Sequence, residues 1–323
     1  MRKTKTRLIF ALAVSALFAA TTATGAPVVI STLPPGAINN VQATVVAKVV
    51  QQNSDLQMRV ITFNSPSSVI GAVQNRQAEF TFTSNDEGGA AYRGVDEYKG
   101  TPMTDLRVAL TVLPFRVGIM VKANSEIKTI ADLRGRKFAT GWQGFLQGIS
   151  LVNGMLATAK MSLDDVDPVP ATNLLRAADD FKAGRTVGAM FAVGAPKVAE
   201  INAAVGGVKF LPLENTPEAE KRMQAVRPEY YLATVNPAPH LAGVVGPTTL
   251  MGYYINILTN KATPDEIVYK FVKALHGNPA ELAKGHPSFR GFSPKGMAVE
   301  HAGIGYHPGA IKFYKEIGIW KGK

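Results

Sequence analysis

The fold is decided by the stretch from residue 28 to residue 84, which reads VVISTLPPGAINNVQATVVAKVVQQNSDLQMRVITFNSPSSVIGAVQNRQAEFTFTS. Three short segments in it are rich in β-branched and aromatic residues, and the two segments between them carry a helical spacing of apolar residues. The segments that we predict to be strands are 28–31, 58–63 and 80–83. The order β-α-β-α-β predicts parallel strands joined by right-handed crossovers.

The same alternation begins again after residue 122. Before it, a strand predicted for 106–113 is broken at Pro114, and another strand follows at 117–121. The later predicted strands, which alternate with helices, are 137–140, 166–169, 187–191 and 208–211. Residues 214–246 stay unassigned, and a strand at 250–258 is expected to return the chain to a hinge. The sequence therefore predicts an α/β protein with two successive α/β units.

The first 26 residues have the composition of a secretory signal peptide. Four cations within residues 2–7 precede an uncharged run at 8–20, and small residues follow at 21–26. Such a run is too short to cross a bilayer, which takes roughly 20 helical residues. We therefore expect residues 1–26 to be removed on export, and the remainder to be a periplasmic protein that does not itself span the membrane.

The composition excludes several classes of function. The chain has no cysteine, which excludes disulfides, zinc–thiolate sites and thiol catalysis. Its formal net charge of +11 comes from scattered lysines and arginines and not from a basic stripe, so we expect no nucleic-acid partner. The histidines lack the H-E-x-x-H spacing, and the aspartates at 164, 165 and 167 lack the other residues of a calcium loop. We predict no metal and no cofactor.

A binding cleft is expected where the two units face each other. In an open parallel sheet, ligands bind beyond the carboxyl ends of the strands, next to helix N-termini whose N–H groups favour anions. The rule selects the loops 31–36, 64–68 and 84–86 in the first unit, and 141–144 and 193–195 in the second. A cleft between two such lobes would close over a small polar solute by bending at a hinge.

From these loops and the hinge we select candidate ligand-binding residues. They are Ser31, Thr32, Asn64, Ser67, Ser84, Asn85, Arg116, Trp142, Gln143, Gly144 and Phe191. Arg116, at the predicted hinge, would clamp a solute carboxylate; a surface salt bridge is the other interpretation. Caps and turns explain the Ser and Asn residues as readily as ligand contacts do, and packing is the alternative for Trp142 and Phe191. Tyr253 and Tyr254 alternate along a strand, so at most one of them faces the cleft.

Four segments resemble the TAXI family of solute receptors, which serve TRAP transporters. They are SSVIGAVQNRQAEF at 67–80, IKTIADLRGRK at 127–137, FAVGAP at 191–196 and YHPGAIKFYKE at 306–316. The similarity spans essentially the whole chain after the signal peptide and runs in the same order. The Gly-Ala-Pro and His-Pro-Gly segments are its more specific parts.

This resemblance implies a two-lobe periplasmic-binding-protein fold, type II-like, with a hinge. Residues 27–115 and 259–323 would form one lobe, and residues 116–258 the other. The protein would capture a small polar solute that bears a carboxylate, an organic acid or an amino-acid-like molecule. It would deliver this solute to the membrane permease subunits of a TRAP transporter, which an ion gradient powers.

Two loops depart from the pattern of the TAXI family. The family's glycine-rich first loop is replaced by STLPPGAIN at 31–39, and its small-residue loop in the second lobe is replaced by TGWQGF at 140–145. Both changes put bulk where a ligand is expected. Trp142 and Phe145 would narrow the pocket or stack on a planar solute.

Two other functions stay open. An ABC-type receptor for an amino acid or a heteroaromatic compound would use the same lobes with a different membrane partner. An exported enzyme on this fold is the third interpretation, although the chain lacks G-x-S-x-G, a cysteine nucleophile and a paired-carboxylate motif.

Overall fold

The computed structural model describes residues 26–35, 37–143, 145–300 and 303–322, so the predicted signal peptide lies outside the described residues except for Ala26. The strands are β1 (Val28–Thr32), β2 (Met58–Thr62), β3 (Phe80–Ser84), β4 (Leu106–Lys122), β5 (Lys137–Thr140), β6 (Asp167–Pro170), β7 (Gly188–Ala192), β8 (Val208–Phe210), β9 (Tyr231–Val235) and β10 (Thr248–Asn260). The helices are α1 (Ile38–Gln52), α2 (Pro66–Gln74), α3 (Asn85–Arg93), α4 (Gln147–Thr158), α5 (Leu174–Lys182), α6 (Pro196–Ala204), α7 (Pro217–Val226), α8 (Asp265–Gly277), α9 (Pro279–Gly285) and α10 (Pro308–Glu316).

A single large sheet runs through the described part of the chain and contains eight strands. Its order is β2-β1-β3-β10-β4-β7, while β8 pairs with β4 and β9 pairs with β10. β1 is parallel to both β2 and β3, with Ile30 opposite Val60 and Phe80. The parallel β-α-β-α-β start that the sequence predicts is therefore confirmed. β5 and β6 form a separate parallel pair.

Two long strands, β4 with 17 residues and β10 with 13, lie antiparallel in the middle of the sheet. The predicted break at Pro114 is wrong, because Pro114 lies within β4 and pairs with Tyr254. β10 pairs with one edge of β4, and the strands on its other edge, β7 and β8, pair with residues 117–122 of β4. Pro114 therefore lies in an edge segment of the sheet, where a residue without an N–H is tolerated.

Separate hydrophobic cores lie at the two ends of these long strands. The first core draws its buried residues from 28–112 and 257–314, and it includes the stacked rings of Phe80 and Phe271. The second core and a smaller third one draw theirs from 117–253. We call these two regions lobe 1 and lobe 2. β4 and β10 connect the lobes through residues 113–116 and 254–256.

The predicted lobe borders, after residues 115 and 258, stay predictions. The division of the buried residues between the cores supports the first border. At the second border, Ile257 and Leu258 already pack in the core of lobe 1. None of the helices in the described part of the chain combines the length and the apolar character that a membrane crossing needs.

Local signals explain where individual helices begin. The Ser65 hydroxyl accepts a hydrogen bond from the N–H of Ser68, and Pro66 occupies the first position of α2. Ser65 is therefore the N-cap of α2. Residues 214–246, which the sequence leaves unassigned, contain α7 and β9.

Candidate functional site

Three consecutive polar residues, Ser84, Asn85 and Asp86, lie where β3 passes into α3. β3 ends at Ser84 and α3 begins at Asn85, so residues 84–86 do not form the loop that the sequence predicts. All three are buried, with 7%, 5% and 1% of their surfaces exposed. Asp86 is in the first turn of α3, where the helix dipole stabilises a carboxylate. The junction thus presents three buried polar side chains at the carboxyl end of a lobe 1 strand.

Two residues of lobe 2 donate hydrogen bonds to this cluster. The Nε2 of Gln147, the first residue of α4, lies 3.0 Å from both carboxylate oxygens of Asp86 and 3.0 Å from the Ser84 hydroxyl oxygen. The Tyr230 hydroxyl donates to Asp86 at 3.0 Å. The first turns of α3 and α4 therefore meet where the two lobes touch, with the Asp86 carboxylate between them.

Arg116, Tyr231 and Tyr254 form a second group beside the cluster. The Arg116 guanidinium lies 4.9 Å from the centre of the Tyr231 ring and donates to the Tyr231 hydroxyl at 2.7 Å. The Tyr254 ring stacks on the Tyr231 ring, with the two ring centroids 5.0 Å apart. The backbone N–H of Tyr254 donates to Asn85 Oδ1 at 2.9 Å, which connects this group to the start of α3. Burial raises the pKa of Tyr231, so its hydroxyl stays protonated near neutral pH.

Tyr253 and Tyr254 point to opposite sides of β10. Tyr253 is buried in the core of lobe 2, 5.2 Å from the Phe115 ring and 6.4 Å from the Tyr230 ring. Tyr254 is half-buried in the stack with Tyr231. The two tyrosines thus alternate as the sequence predicts, and Tyr254 is the one beside Asn85.

Two further predicted residues, Thr32 and Trp142, are fully buried. Thr32 Oγ1 and Trp142 Nε1 have no hydrogen-bond partner among the described residues. Trp142 packs edge to face on Phe145, and it lies so close to Gly148 that a Cβ there would come within 2.9 Å of the indole ring. A buried polar atom without a partner costs roughly 1–3 kcal/mol. A polar ligand group that reached either atom would therefore be favoured.

Ser31 and Phe191 are occupied by structural contacts. The Ser31 hydroxyl donates to the carbonyl oxygen of Val69 at 2.9 Å and lies 3.3 Å from that of Phe80, which ties β1 to α2 and β3. Phe191 is buried in the third core, where it packs with Phe210 among other residues. The Ser31 hydroxyl is thus bonded within lobe 1 and the Phe191 ring is packed within lobe 2, and a ligand contact by either residue stays a prediction.

The other predicted residues are exposed or lie outside the described residues. Asn64, Ser67 and Gln143 are exposed, and the Ser67 hydroxyl lies 3.1 Å from the hydroxyl of Ser65, the cap of α2. Gly144 lies outside the described residues. The structure thus brings Ser84, Asn85 and Arg116 into one region. The Ser67 hydroxyl instead lies beside the cap of α2.

Glu87 adds a half-buried acid next to the cluster. Burial raises the pKa of Glu87 to about 8, and the negative charges of Asp86 and Glu97 act in the same direction. The hydroxyls of Thr83, at 3.5 Å, and Tyr98 oppose this rise through hydrogen bonds. Glu87 is therefore largely protonated at neutral pH.

Two ion pairs also connect α3 and its C-terminal flank to lobe 2. Arg93 binds Glu229 with both of its terminal nitrogens, at 2.5 and 3.2 Å. Asp96 binds Arg227 at 2.5 Å. Gly89 makes the first pair possible, because a Cβ at that position would lie 1.9 Å from a carboxylate oxygen of Glu229. Residues 227–230 are thus held directly against α3.

Three residues of the cluster were not among the ligand-binding residues predicted from the sequence: Asp86, Gln147 and Tyr230. Asp86 belongs to the selected segment 84–86, and Gln147 follows the selected loop 141–144 at the start of the next helix, so the strand-end rule comes close to both. Tyr230 lies in the unassigned segment 214–246, where no periodic pattern signals its position.

Two grooves open on the surface of lobe 1. One, of about 660 Å³, is lined by residues of α1 and α9. The other, of about 500 Å³, lies between the end of α1 and helices α8 and α10. Neither groove is lined by a predicted site residue. Among the described residues, no group of three or more His, Asp or Glu side chains is arranged to hold a metal ion.

Comparison with known proteins gives a family match and a fold. Residues 38–318 match the NMT1-like family. A TctC solute-binding protein from Polaromonas superimposes with a TM-score of 0.57 at 15% identity, covering 83% of this chain and 90% of that one.

Two further structures are similar over most of their length. A putative sulfonate ABC transporter protein from Methylobacillus flagellatus, a periplasmic sulfonate-binding protein, gives a TM-score of 0.50 at 14% identity and covers 83% of this chain and 73% of its own. A Xanthomonas citri protein bound to chloride ion gives 0.51 at 8% identity, covering 90% and 96%. At such identities the similarity shows the fold. The predicted fold class, the two-lobe α/β fold of periplasmic binding proteins, is thereby confirmed.

Proposed function

The chain belongs to the NMT1-like family, and from this premise we propose that it is a periplasmic receptor that captures a small polar solute between lobe 1 and lobe 2. The observation that carries the proposal is the contact between the first turns of α3 and α4. Buried polar side chains of both lobes meet there, and the strand-end rule expects ligands at that position. We propose transport and not catalysis as the role of this site.

The experiment that tests this proposal is a thermal-shift screen on the protein without residues 1–26. Dicarboxylates, oxo acids, amino acids and sulfonates are the solutes to screen. A ligand that binds only the folded state raises the Tm by mass action, by an amount equivalent to about 2.7 kcal/mol at a hundred times its Kd. We expect saturable stabilisation by one class, with the solute recovered unchanged. Chemical conversion of the solute would contradict the receptor proposal and favour the enzyme alternative.

The solute class that we propose is a small acid with a carboxylate. Arg116 supports this assignment, because the Tyr231 ring holds its guanidinium beside the junction. Its hydrogen bonds to the Phe115 carbonyl oxygen and the Tyr231 hydroxyl both come from Nη1, which leaves most of the five N–H donors for a carboxylate. Two helix N-termini at the same junction also favour an anion. The other predicted residues stay proposed contacts of the solute, namely Ser31, Thr32, Asn64, Ser67, Ser84, Asn85, Trp142, Gln143, Gly144 and Phe191.

The Arg116 assignment predicts a graded response to substitution. Arg116→Lys keeps the charge but loses the planar fork, and we expect at least a 10-fold higher Kd for the acid found in the screen. Arg116→Ala should raise the Kd further, and Arg136→Ala, an exposed arginine of lobe 2, is the control. Calorimetry measures the three constants. Equal affinities of wild type and Arg116→Ala would reject Arg116 as the clamp.

The membrane partner that we propose is the permease of a TRAP transporter, of the type that TAXI receptors serve. The resemblance of four segments to the TAXI family supports this partner, and an ABC transporter is the alternative. Uptake into vesicles that contain the permease separates the two. Uptake that an ion gradient drives without ATP supports the TRAP partner, and uptake that requires ATP supports the ABC partner.

A further inference from the structure

We propose that Asp86 is an internal ligand of the cleft: its carboxylate holds the two lobes together when no solute is bound, and the anionic group of a solute has to displace it. This inference rests on the proposed function, because it concerns the site that the solute would use. Asp86 would then lower the affinity of the site for an anionic solute, in addition to shaping the site.

The first support is the geometry of the contact. Asp86 belongs to lobe 1, and its carboxylate accepts hydrogen bonds from Gln147 and Tyr230 of lobe 2. The side chain is 1% exposed, so the lobes are already closed around it. A carboxylate at the meeting point of two helix N-termini occupies the position that a bound anion would favour.

The second support is the nature of the donors. An amide and a phenol bind Asp86, and both are neutral groups. A hydrogen bond from a neutral donor to a carboxylate contributes a net amount of about 1.5–3 kcal/mol, because the acceptor is charged. A solute carboxylate offers the same acceptors, so it can replace Asp86 in these bonds at little cost. Asp86 would then turn to water as the lobes rearrange around the solute.

The third support is the difference between this contact and its neighbours. The pairs Arg93–Glu229 and Asp96–Arg227 join charged groups of opposite sign. Each pair has one buried member, Glu229 or Arg227, so breaking the pair would leave a buried charge without its partner. These pairs keep residues 227–230, and with them Tyr230, next to α3. The Asp86 contact differs from these pairs, because its donors are neutral groups that the carboxylate of a solute would satisfy equally well.

The experiment measures closure first, without any solute. The chain has no cysteine, so Ile38→Cys in lobe 1 and Leu175→Cys in lobe 2, both at exposed positions, give two specific sites for spin labels. The protein is unfolded, dialysed and refolded to remove bound solutes, and pulsed EPR gives the distribution of the distance between the labels. Asp86→Ala, Gln147→Met and Tyr230→Phe are compared in this labelled background.

We expect each of the three variants to shift the distribution towards longer distances. Tyr314→Phe is the matched control, because it also removes a buried phenol bond, from the Tyr314 hydroxyl to the Ala109 carbonyl oxygen, but within lobe 1. It should leave the distribution unchanged. If Asp86→Ala does not fold, Gln147→Met and Tyr230→Phe decide the result. A wild-type distribution in the folded variants would overturn the proposal.

The second arm measures competition, with succinate as the probe carboxylate and any stronger acid from the screen beside it. We expect Asp86→Ala to bind the acid at least 5-fold more tightly than wild type, because nothing has to be displaced. Weaker binding by Asp86→Ala would overturn the proposal. If no solute of the screen binds wild type or variant, the proposed function fails, and the EPR distances still decide whether Asp86 holds the lobes together.

Discussion

At the scale of single residues, Glu87 is the side chain whose burial has the clearest consequence in solution. Its carboxyl is hydrogen-bonded by Thr83 and Tyr98 and repelled by the charges of Asp86 and Glu97, and it also acts on the pKa of the buried Tyr253. None of the causes that shift its pKa is a nearby cation. The protonated form is therefore favoured in the folded protein.

Glu87 predicts how stability depends on pH. Its pKa is raised from 4.5 to about 8 on folding, so the folded state binds more protons than the unfolded state between these values. Stability should consequently fall as the pH rises from about 4.5 to about 8, by an amount on the order of a few kcal/mol. Glu87→Gln should remove this fall and be more stable than wild type at pH 8.

Thermal unfolding of wild type and Glu87→Gln from pH 4.5 to 9 checks this prediction. The control is Glu218→Gln, which replaces an exposed glutamate of α7 and should reproduce the wild-type profile. Parallel profiles for wild type and Glu87→Gln would show that Glu87 titrates in the folded state as it does in the unfolded chain.

At the scale of elements, the His-Pro-Gly segment begins α10 and docks it on α8. The fully buried His307 caps the helix, since its Nδ1 accepts a hydrogen bond from the N–H of Gly309 at 3.2 Å. Burial lowers the pKa of His307, which favours the neutral ring that this cap requires. Gly309 packs on the backbone at Asp265, the first residue of α8. One of the two more specific segments of the family resemblance therefore has a structural role in this chain.

Gly309→Ala should destabilise the protein. The new Cβ would lie 2.2 Å from the backbone oxygen of Asp265, and backbone cannot move aside as a flexible side chain does. We expect a loss of about 1–3 kcal/mol in the free energy of unfolding, as for overpacked cores. Urea unfolding measures this loss.

Gly71→Ala provides the matched control within α2. The atom nearest to the new Cβ is the terminal methyl of Met103 at 3.9 Å, an ordinary contact. Alanine is the better helix former, so this variant should be about 0.5–1 kcal/mol more stable than wild type. A Gly309→Ala variant that gained stability by a similar amount would contradict the packing argument.

At the scale of the whole molecule, two cores are joined by two continuous strands. β4 and β10 pass from one core to the other without leaving the sheet, while the side chains that fill the cores come from different parts of the chain. Such an arrangement combines rigid lobes with a short connecting region at 113–116 and 254–256. Bending there would open and close the cleft.

Separate cores predict separate responses to cavities. Phe80→Ala removes a ring that stacks on Phe271 at 3.8 Å, and a cost of about 3–5 kcal/mol is typical of such a truncation. We expect faster amide exchange mainly in β1, β2 and β3, with β5 and β7 much less affected. Phe138→Ala, in the core of lobe 2, should give the reverse pattern. Mass spectrometry measures both, and identical exchange patterns would mean that the lobes unfold as one unit.

The sequence by itself determined the alternation of elements and the places where polar loops meet helix starts. Periodicity acts over a few residues, so the alternation of strands and helices from residue 28 to residue 84 could be derived from local patterns. The same locality explains the errors. Pro114 breaks a strand by its own chemistry, and only the absence of a second neighbour at that point of the sheet makes it acceptable.

Only the tertiary structure decided which polar side chains face each other. Ser31 and Ser84 are both small polar residues at the end of a strand. The Ser31 hydroxyl nevertheless donates its hydrogen bond within lobe 1, whereas the Ser84 hydroxyl accepts a hydrogen bond from Gln147 of lobe 2. The partners that distinguish them, Val69 and Gln147, are 38 and 63 residues away along the chain. Contacts over such separations depend on how two cores are placed by β4 and β10, and no local pattern encodes that placement.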